Sequence, residues 1–335
     1  MPDRVVLGVD GGGTKTDALV IDGHGRVLGY GASGGANWEG VGLDGMARSI
    51  REAVDRAMGS AAVRGDQLAA TAFALAGIDW PSDPDRVAPS LDMLALGGGP
   101  RSIVNDSFAA LRAGSTASHG IVSIAGTGGV TAGRNRAGQV ERTMGIGIGE
   151  GNGASGLFDM AVQAIGHVHN GTGPHTMLTE EFLSESGCAT TTELFETLSR
   201  KWTLSTGEYA PAVIRCAAAG DQIALDICRR SGRTHGRDVV GIARRLGLAD
   251  DTFDLVLAGG IHVSLAAHFT AAFHETVGDG APGARPVRLA APPASGAALL
   301  ALELIGVDAD SVRAMVNEGA AAARAAQPLT TGESP

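Results

Sequence analysis

The fold of this chain is decided by its first glycine-rich stretch, Val5-Val6-Leu7-Gly8-Val9-Asp10-Gly11-Gly12-Gly13-Thr14-Lys15-Thr16-Asp17. Apolar β-forming residues lead into an aspartate, three consecutive glycines and a Thr/Lys/Thr cluster, and a second apolar run follows at once. This order predicts a strand, a tight glycine turn and a second strand. The glycines do not open a helix, so the stretch is neither a P-loop nor a dinucleotide-binding fingerprint.

Asp10 is the residue of this stretch with the clearest chemical meaning. It ends the first predicted strand, and open α/β sheets hold their ligands at the carboxyl ends of their strands. The glycines that follow allow an anion to approach backbone N–H groups closely. Because a carboxylate repels a phosphate, we predict that Asp10 faces a divalent cation. An Asx turn in a plain glycine-rich hairpin is the alternative interpretation.

The composition excludes several classes of partner. The chain has 335 residues, a formal net charge of −10, 44% hydrophobic residues and 51 glycines. That charge argues against nucleic acid and against an anionic membrane surface. No apolar run approaches the roughly 18 residues of a membrane helix, and the start lacks an apolar signal segment. The cysteines are unpatterned, which is typical of reduced, buried thiols and predicts a cytoplasmic protein (Cys188, Cys216 and Cys228).

Residues 1–116 are predicted to form one α/β domain. Three successive strands precede a helix and two further short strands, the last of them at residues 101–104. This last strand ends in Asn105-Asp106-Ser107. Asp106, like Asp10, therefore ends a strand, and we expect the two carboxylates to face the same ligand site. Capping of the following helix is the alternative role for Asp106.

A second segment repeats the opening pattern, with strand, Gly/Thr turn and strand in Gly120-Ile121-Val122-Ser123-Ile124-Ala125-Gly126-Thr127-Gly128-Gly129-Val130-Thr131. We interpret the repeat as an internal duplication, although chance similarity between glycine-rich hairpins is the alternative. The second domain is then predicted over residues 117–326, with a helical insertion, and residues 327–335 as a disordered tail. Two such turns could hold one polyphosphate from both sides.

Four motifs in order carry a resemblance to a known superfamily: VDGGGTKT at 9–16, IVNDS at 103–107, SIAGTGGV at 123–130 and VLAGGIHVS at 256–264. They resemble the two phosphate motifs, the catalytic aspartate and the adenosine motif of the ASKHA superfamily, which includes actin and the sugar kinases. Within it the chain is similar to the BadF/BadG/BcrA/BcrD ATPase family, in particular its N-acetylglucosamine kinase branch. The resemblance implies an α/β, two-domain actin-like ATPase (ribonuclease H-like) fold, duplicated, with the nucleotide in the interdomain cleft.

The resemblance also implies residue roles for ATP and Mg²⁺. Asp10 would hold the magnesium of the nucleotide through water, and Asp106 would accept the proton of the attacking sugar hydroxyl. Lys15 either reaches the phosphates or points to solvent. The phosphates would be bound by Gly11, Gly12, Gly13, Thr14, Thr127 and Gly128, and the adenosine by Gly259 and Gly260.

Two loops resemble the sugar-contact loops of the family and depart from them. Asn37-Trp38 resembles an Asn-His-Trp loop shortened by one residue, and a loop Asn beside a packing Trp is the alternative. The segment from Gly145 to Gly156 resembles a Gly-Asp-Glu-Gly-Ser loop but has no aspartate. Glu150 or Asn152 would replace the missing carboxylate, so the identity of the sugar is less well defined than the kinase chemistry.

The leading hypothesis is an ATP-dependent kinase that phosphorylates an amino sugar, with N-acetylglucosamine to N-acetylglucosamine 6-phosphate as the first choice. Glucosamine and muramic-acid-type sugars are the alternatives. An ATPase that activates an iron–sulfur dehydratase would need cysteine ligands, and the three cysteines lie far from the motifs. A sugar-sensing repressor usually carries a helix-turn-helix before the first phosphate motif, where this chain has three residues before Arg4. A homodimer stays open.

Overall fold

A computed structural model of the chain describes residues 4–145, 151–200, 209–264 and 266–326. The chain forms two compact units, one of Met1–Gly120 with Val287–Pro335 and one of Ile121–Pro286, here called unit 1 and unit 2. The predicted boundary after residue 116 lies close to the first division. The second division differs from the prediction, because the C-terminal segment belongs to unit 1 and not to the second domain. The predicted tail, residues 327–335, lies outside the described residues.

Unit 1 contains a mixed sheet with the strand order β3-β2-β1-β4-β5. The first three strands are antiparallel neighbours, and the last two run parallel to β1. Its described strands are β1 (Val5–Gly11), β2 (Lys15–Asp22), β3 (Val27–Gly34), β4 (Leu68–Leu75) and β5 (Arg101–Asn105). Its described α-helices are α1 (Trp38–Ala61), α2 (Asp83–Asp92), α3 (Asp106–Gly114), α11 (Pro293–Leu304) and α12 (Ala309–Ala326).

The C-terminal helices pack on unit 1 because glycines make room for them. A methyl group on Gly8 in β1 would overlap the backbone of Ala297 and Ala298 in α11. On the same helix, a methyl group on Gly296 would overlap the Ala109 carbonyl of α3. Close backbone approach of this kind is possible only without a Cβ atom. The helix α11 is therefore wedged against both the central strand and the helix that begins at Asp106.

Two hydrophobic cores lie on opposite faces of this sheet. Side chains of β1, such as Leu7 and Val9, pack with Met46 and Ile50 of α1 on one face. The alternate β1 residue Val6 packs with α11 and α12 on the other face. This alternation follows the period of two that a strand imposes on its side chains. With both faces covered, the carboxyl ends of β1 and β5 remain to hold functional groups.

Unit 2 repeats the same architecture. Its sheet has the order β10-β9-β6-β7-β8. Read from β8 to β10, this order matches that of unit 1 strand for strand, with β6 in the place of β1. The described strands are β6 (Gly120–Ala125), β7 (Gly129–Arg134), β8 (Val140–Arg142), β9 (Phe253–Ala258) and β10 (Ala284–Arg288). The described helices are α4 (Gly153–His169), α5 (Leu178–Ser186), α6 (Thr191–Arg200), α7 (Ala210–Ala218), α8 (Gln222–Arg245), α9 (Gly260–Val263) and α10 (Ala267–Gly280). The predicted duplicated α/β fold is confirmed.

The helices between β8 and β9 form the helical insertion predicted for the second half of the chain. Their core is built around an aromatic group, in which Phe158, Phe182 and Tyr209 lie with ring centroids 4.9–6.1 Å apart. Across the ranges that the structure describes, no helix has the length and apolar character needed to cross a bilayer.

Candidate active site

Asp10 lies near the carboxyl end of β1, where the sequence places it. Its side chain is buried, with 9% of the residue exposed. In the antiparallel register it stands directly opposite Asp17 of β2. Burial, with the negative charges of Asp106 and Asp17, raises the pKa of Asp10 to about 8, against the lowering effects of Lys15 and Arg324. Three acidic side chains, those of Asp10, Asp17 and Asp106, therefore influence one another at the carboxyl end of the central strand β1.

Lys15 contacts Asp17 in this structure. Its Nζ donates to Asp17 Oδ2 at 2.5 Å. Tyr30 of β3 donates its hydroxyl to the other oxygen of the same carboxylate at 2.7 Å. Asp17 is fully enclosed, at 1% exposure, so its buried carboxylate needs both of these donors. The sequence left open whether Lys15 reaches the phosphates or points to solvent. In this structure its ammonium group forms an ion pair with Asp17, close enough to Asp10 to lower the pKa of that carboxyl.

The glycine turn between β1 and β2 is fixed by backbone hydrogen bonds on both sides. Gly12 N donates to Lys15 O at 2.9 Å, which closes the turn, and Gly12 O accepts from Ala36 N at 2.9 Å. Gly11 O accepts from Ala76 N at 2.8 Å, after the end of β4. Gly13 and Thr14 at the tip are exposed. The tip is thus held firmly and remains open to an anion, as phosphate-binding turns require.

Asp106 is the first residue of α3 and is half-buried. The helix is capped by Asn105, whose side-chain oxygen accepts from Ser107 N at 3.1 Å. The capping role that could have explained Asp106 therefore belongs to its neighbour. The charge of Asp106 lies close enough to Asp10 to raise the pKa of that carboxyl. Asp10 and Asp106 therefore lie at the carboxyl ends of β1 and β5, which both run parallel to β4 in one sheet, and their sharing of one ligand site stays a prediction.

The Asn37-Trp38 pair lies at the start of α1. Asn37 is the N-cap, and its Oδ1 accepts from Glu39 N at 3.1 Å. Trp38 donates its indole Nε1 to the carbonyl of Gly77 at 2.7 Å. The guanidinium of Arg86 lies over its ring, 5.2 Å from the centroid. Both residues therefore have a structural role, and their predicted contact with sugar stays a prediction.

Sequence reasoning missed the loop that follows β4. Asn105 donates its amide to Asp79 Oδ1 at 3.0 Å, directly beside Asp106. The buried carboxylate of Asp83 accepts from the backbone N–H groups of Asp79 and Trp80. The signal that could have found this loop is an aspartate in the segment that follows the strand end at Leu75, since Asp10 and Asp106 were also identified from the ends of strands.

In unit 2 the Gly/Thr turn after β6 contacts the start of α4. Ala154 N donates to Gly126 O, and Ser155 donates both its N–H and its hydroxyl to Thr127 O, each at 2.9 Å. The fourth motif, VLAGGIHVS, packs on the same turn: Gly259 has a φ of +89°, and a methyl group on it would overlap the backbone of Ala125. The second phosphate motif and the adenosine motif are thus adjacent.

Of the predicted loop residues in unit 2, Asn152 precedes α4, is buried and packs against Gly129 at the end of the Gly/Thr turn. Gly145, with a φ of +67°, follows β8 beside Arg142. Glu150 lies outside the described residues. The structure places Asn152 at the Gly/Thr turn of unit 2, and the contact of this loop with sugar stays a prediction.

A cavity of about 550 Å³ opens beside these motifs in unit 2. The lining comes from the Gly/Thr turn, from α9 and from α7, and it is mainly apolar. Its residues are Gly126, Thr127, Ala154, Ala210, Pro211, Ile214, Arg215, Gly260, Ile261 and Ser264. A volume of this size suits a nucleoside. The sequence predicted the turn and Gly260, but the wall from α7 carries no motif and was missed.

Two histidines lie beneath the Gly/Thr turn and were not predicted. His235 of α8 is fully buried, and its Nε2 accepts from Gly153 N at 3.0 Å. His262 forms a hydrogen bond with Ser123 Oγ at 3.1 Å. Burial lowers the pKa of His235 to about 4 and that of His262 to about 3, so both are neutral at pH 7. A neutral His235 is required, because only an unprotonated Nε2 can accept from Gly153.

None of the three cysteines belongs to the motifs. Cys216 and Cys228 are buried in α7 and α8, and burial raises the pKa of each thiol to about 11. Cys188 was predicted in a helix but lies in the loop after α5. All three are free thiols. Within the described ranges, no group of three or more His, Cys, Asp or Glu side chains is arranged to hold a metal ion.

The duplicated α/β fold, with a glycine-rich turn in each unit, is that of the actin-like ATPase class, and the comparison with known families makes this specific. The profile of the BadF/BadG/BcrA/BcrD ATPase family matches residues 7–301. The chain belongs to this family.

Named relatives agree with this membership. The chain is 26% identical over 318 residues to an N-acetyl-D-glucosamine kinase of Dictyostelium discoideum, covering 90% of this chain and 99% of that protein. It is 29% identical over 162 residues to an N-acetylmuramic acid/N-acetylglucosamine kinase of Clostridium acetobutylicum, covering 48% of this chain and 52% of that one.

Solved structures share the fold. A Chromobacterium violaceum protein, provisionally assigned as an N-acetylglucosamine kinase, superposes with a TM-score of 0.68 at 21% identity, covering 89% of this chain and 99% of that one. The ROK hexokinase of Thermus thermophilus gives a TM-score of 0.57 at 20% identity, covering 90% and 99%.

Proposed function

We propose that this protein is an ATP-dependent amino sugar kinase, with N-acetylglucosamine as its preferred acceptor. The observation that supports the proposal is the placement of Asp10 and Asp106 at the carboxyl ends of two parallel strands of one sheet, with the exposed glycine turn of unit 1 directly after Asp10. One carboxylate is suited to binding a cation and the other to accepting a proton. The likeness to the Dictyostelium kinase, over 90% of this chain, supports the same activity.

The residues of both units fit a nucleotide with its Mg²⁺. Asp10 is a buried carboxylate whose raised pKa reports an uncompensated negative site, and a divalent cation would supply the missing positive charge. Gly13 and Thr14 offer an exposed turn in unit 1, and Thr127 with Gly128 offers the second turn. The cavity beside Gly260 has the size and apolar lining for adenosine. When bound, Mg²⁺ would neutralise phosphate charge and help orient the transferred group.

Asp106 would act as the general base. Its carboxylate would accept the proton of the acceptor hydroxyl as that oxygen attacks the γ-phosphorus of ATP, and the bond from this phosphorus to the bridging oxygen would break, so that ADP leaves. The proton would stay on Asp106 until the products leave and would then pass to solvent. Phosphoryl transfer depends mainly on positioning and on electrostatic stabilisation. The start of α3 would supply the positioning, since Asn105 fixes the position of the helix terminus that carries Asp106.

The acceptor would be bound by Asn37 and Trp38 in unit 1 and by the loop that includes Gly145, Glu150 and Asn152 in unit 2. An N-acetyl group or an ammonium group would distinguish the sugars at this second loop. A free ammonium would pair with a carboxylate such as Glu150, so glucosamine is the acceptor to compare with N-acetylglucosamine.

A screen of ADP release tests the proposal directly. N-Acetylglucosamine, glucosamine, N-acetylmuramic acid and glucose would each be offered with ATP and Mg²⁺, and the position of the phosphate read by ³¹P NMR. We expect the highest kcat/KM for N-acetylglucosamine. Asp106→Asn should lower kcat by roughly 10²–10⁴, whereas the exposed Asp85→Asn in α2 should not. ADP release that no sugar accelerates would overturn the proposal.

The same screen tests the second sugar loop. If Glu150 pairs with an ammonium group, Glu150→Gln should raise the KM for glucosamine and leave the KM for N-acetylglucosamine unchanged. Equal effects on both sugars would exclude this pairing while leaving the kinase activity in place.

The three free thiols and the dependence on ATP support a cytoplasmic location for the enzyme. The same thiols do not favour an activator of an iron–sulfur enzyme, because two of them are buried with raised pKa values. A homodimer is not required for any residue of the proposed site and stays a prediction.

A further inference from the structure

Asn105 uses both ends of its side-chain amide, which makes its orientation important. Its Oδ1 accepts from Ser107 N at 3.1 Å and so caps α3. Its Nδ2 donates to Asp79 Oδ1 at 3.0 Å. An amide that turned over would present NH₂ to the helix N–H groups and lose the cap. A carboxylate can only accept, so Asp79 selects the orientation in which Asn105 caps the helix.

Asp79 is itself held in place by its own loop. The carboxylate of Asp83, only 3% exposed, accepts from Asp79 N at 2.8 Å and from Trp80 N at 2.7 Å. At the start of the loop Gly77 has a φ of +80°, and its carbonyl accepts from Trp38 Nε1 at 2.7 Å. The loop 77–80 therefore connects the start of α1 with the start of α3.

We propose that Asp79 is a positioning residue of the kinase reaction, which aims the Asp106 carboxylate by holding the Asn105 cap. The inference rests on the proposed function and extends it to a residue outside the glycine motifs. Asp79 acts through Asn105 and takes no proton itself. Because Gly77 of the same loop bonds to Trp38, the loop also links the position of the general base to the proposed acceptor contact.

The expected effect follows from geometry. A charge-assisted hydrogen bond is roughly twice as strong as a neutral one, and misplacing a reacting group by about 1 Å can cost on the order of 10²-fold in rate. Asp79→Ala should therefore lower kcat by roughly 10–10² and change the KM for ATP by less than about twofold, since the phosphate turns are untouched. Asp79→Asn keeps an acceptor oxygen but loses the charge and can also donate, so its kcat should lie between that of wild type and that of Asp79→Ala.

Exchanging the two side chains, with Asn at position 79 and Asp at position 105, gives a reversed pair that tests whether Asp79 positions Asn105 or has a merely structural role. Asn105→Asp alone places two carboxylates together and should impair kcat. Asp79→Asn combined with Asn105→Asp restores one donor and one acceptor, and the introduced carboxylate can still accept from Ser107 N. We expect the double variant to recover kcat to within about fivefold of wild type, a coupling that independent sites do not show. Asp66→Ala, which removes an exposed ion pair with Arg64, is the matched control.

Amide hydrogen exchange at Ser107 and Phe108 gives a readout that does not depend on activity. Asp79→Ala should speed exchange there, and the reversed pair should slow it again. If wild type phosphorylates no sugar, the proposed function fails, and exchange alone then decides on the cap. Wild-type kcat in Asp79→Ala, or a reversed pair as impaired as Asn105→Asp, would overturn the proposal.

Discussion

Asp10 and Asp17 stand directly opposite each other on the antiparallel strands β1 and β2, and both are buried. Like charges at directly opposed positions destabilise a sheet. Asp17 is compensated, because Lys15 and Tyr30 both donate to it. Asp10 is compensated less, as the rise of its pKa to about 8 shows. At the carboxyl end of β1 the charged form of Asp10 is therefore destabilised, and a bound cation would stabilise it.

We expect Asp10→Asn to abolish most turnover and to stabilise the metal-free protein. The amide has almost the same shape, and it replaces an ionisable carboxyl group whose charged form is disfavoured by burial and by two aspartates. Turnover should fall by roughly 10²–10³, a typical loss for one electrostatic group in a catalytic site. Thermal denaturation in EDTA and ADP release with Mg²⁺ would measure the two effects.

Asp17→Asn is the matched control for this substitution. It changes the opposing residue in the same way, but it weakens the hydrogen bonds that Lys15 and Tyr30 donate to a carboxylate. It should therefore lower thermal stability. An Asp10→Asn protein that turned over at the wild-type rate would refute the assignment of the cation to Asp10.

Gly8→Ala should destabilise unit 1 strongly. The new methyl group would overlap the backbone of Ala297 and Ala298, so β1 and α11 must separate. Overpacking of a filled core costs about 1–3 kcal/mol and sometimes more. Urea denaturation would measure the loss. Gly59→Ala in α1 is the control: nothing lies within 4 Å of its added methyl group, and we expect no loss of stability. Equal stability of the two variants would contradict the packing of α11 on β1.

A feature of this fold could be predicted from the sequence when its determinants lie close together along the chain. The strand, glycine turn and strand around Asp10 could be predicted because all of their determinants lie within one short continuous stretch. Asp106 could be predicted because a strand end precedes it. The membership of α11 in unit 1 could not, since it depends on Gly8 and Gly296, which meet their neighbours only in the folded chain. Asp79 was missed because its partner Asn105 is distant in sequence.

Acidification should destabilise the protein through His235. Its folded pKa is about 4 and its ordinary value is 6.5, so the unfolded chain binds a proton first as the pH falls. The contribution of His235 to the free energy of unfolding should therefore decrease from about pH 6.5 to about pH 4 and then level off. For one group shifted this far, the loss is about 3 kcal/mol at most. His262, with a folded pKa of about 3, adds a loss of the same sign, whereas Asp10, with a folded pKa of about 8, contributes stability as the pH falls and opposes both. Urea denaturation over this pH range measures the slope.

His235→Gln should flatten that slope, whatever its effect on stability at neutral pH, because it removes the group that titrates. The control is His167→Gln in α4, since this imidazole is exposed. A slope that His235→Gln leaves unchanged would show that another group governs the acid sensitivity.

Ile214→Trp should impair ATP binding selectively. Ile214 of α7 lines the cavity of about 550 Å³ beside Gly260, and an indole there would occupy the space assigned to adenosine. We expect the KM for ATP to rise by about tenfold or more, which corresponds to about 1.4 kcal/mol of lost binding, while the KM for the sugar changes little. Ile223→Trp is the matched control, because Ile223 lines a different cavity of unit 2, of about 350 Å³, which takes no part in the proposed site. If both variants raised the KM for ATP equally, the effect would be one of general packing. If neither did, the adenosine would have to bind elsewhere than beside Gly260.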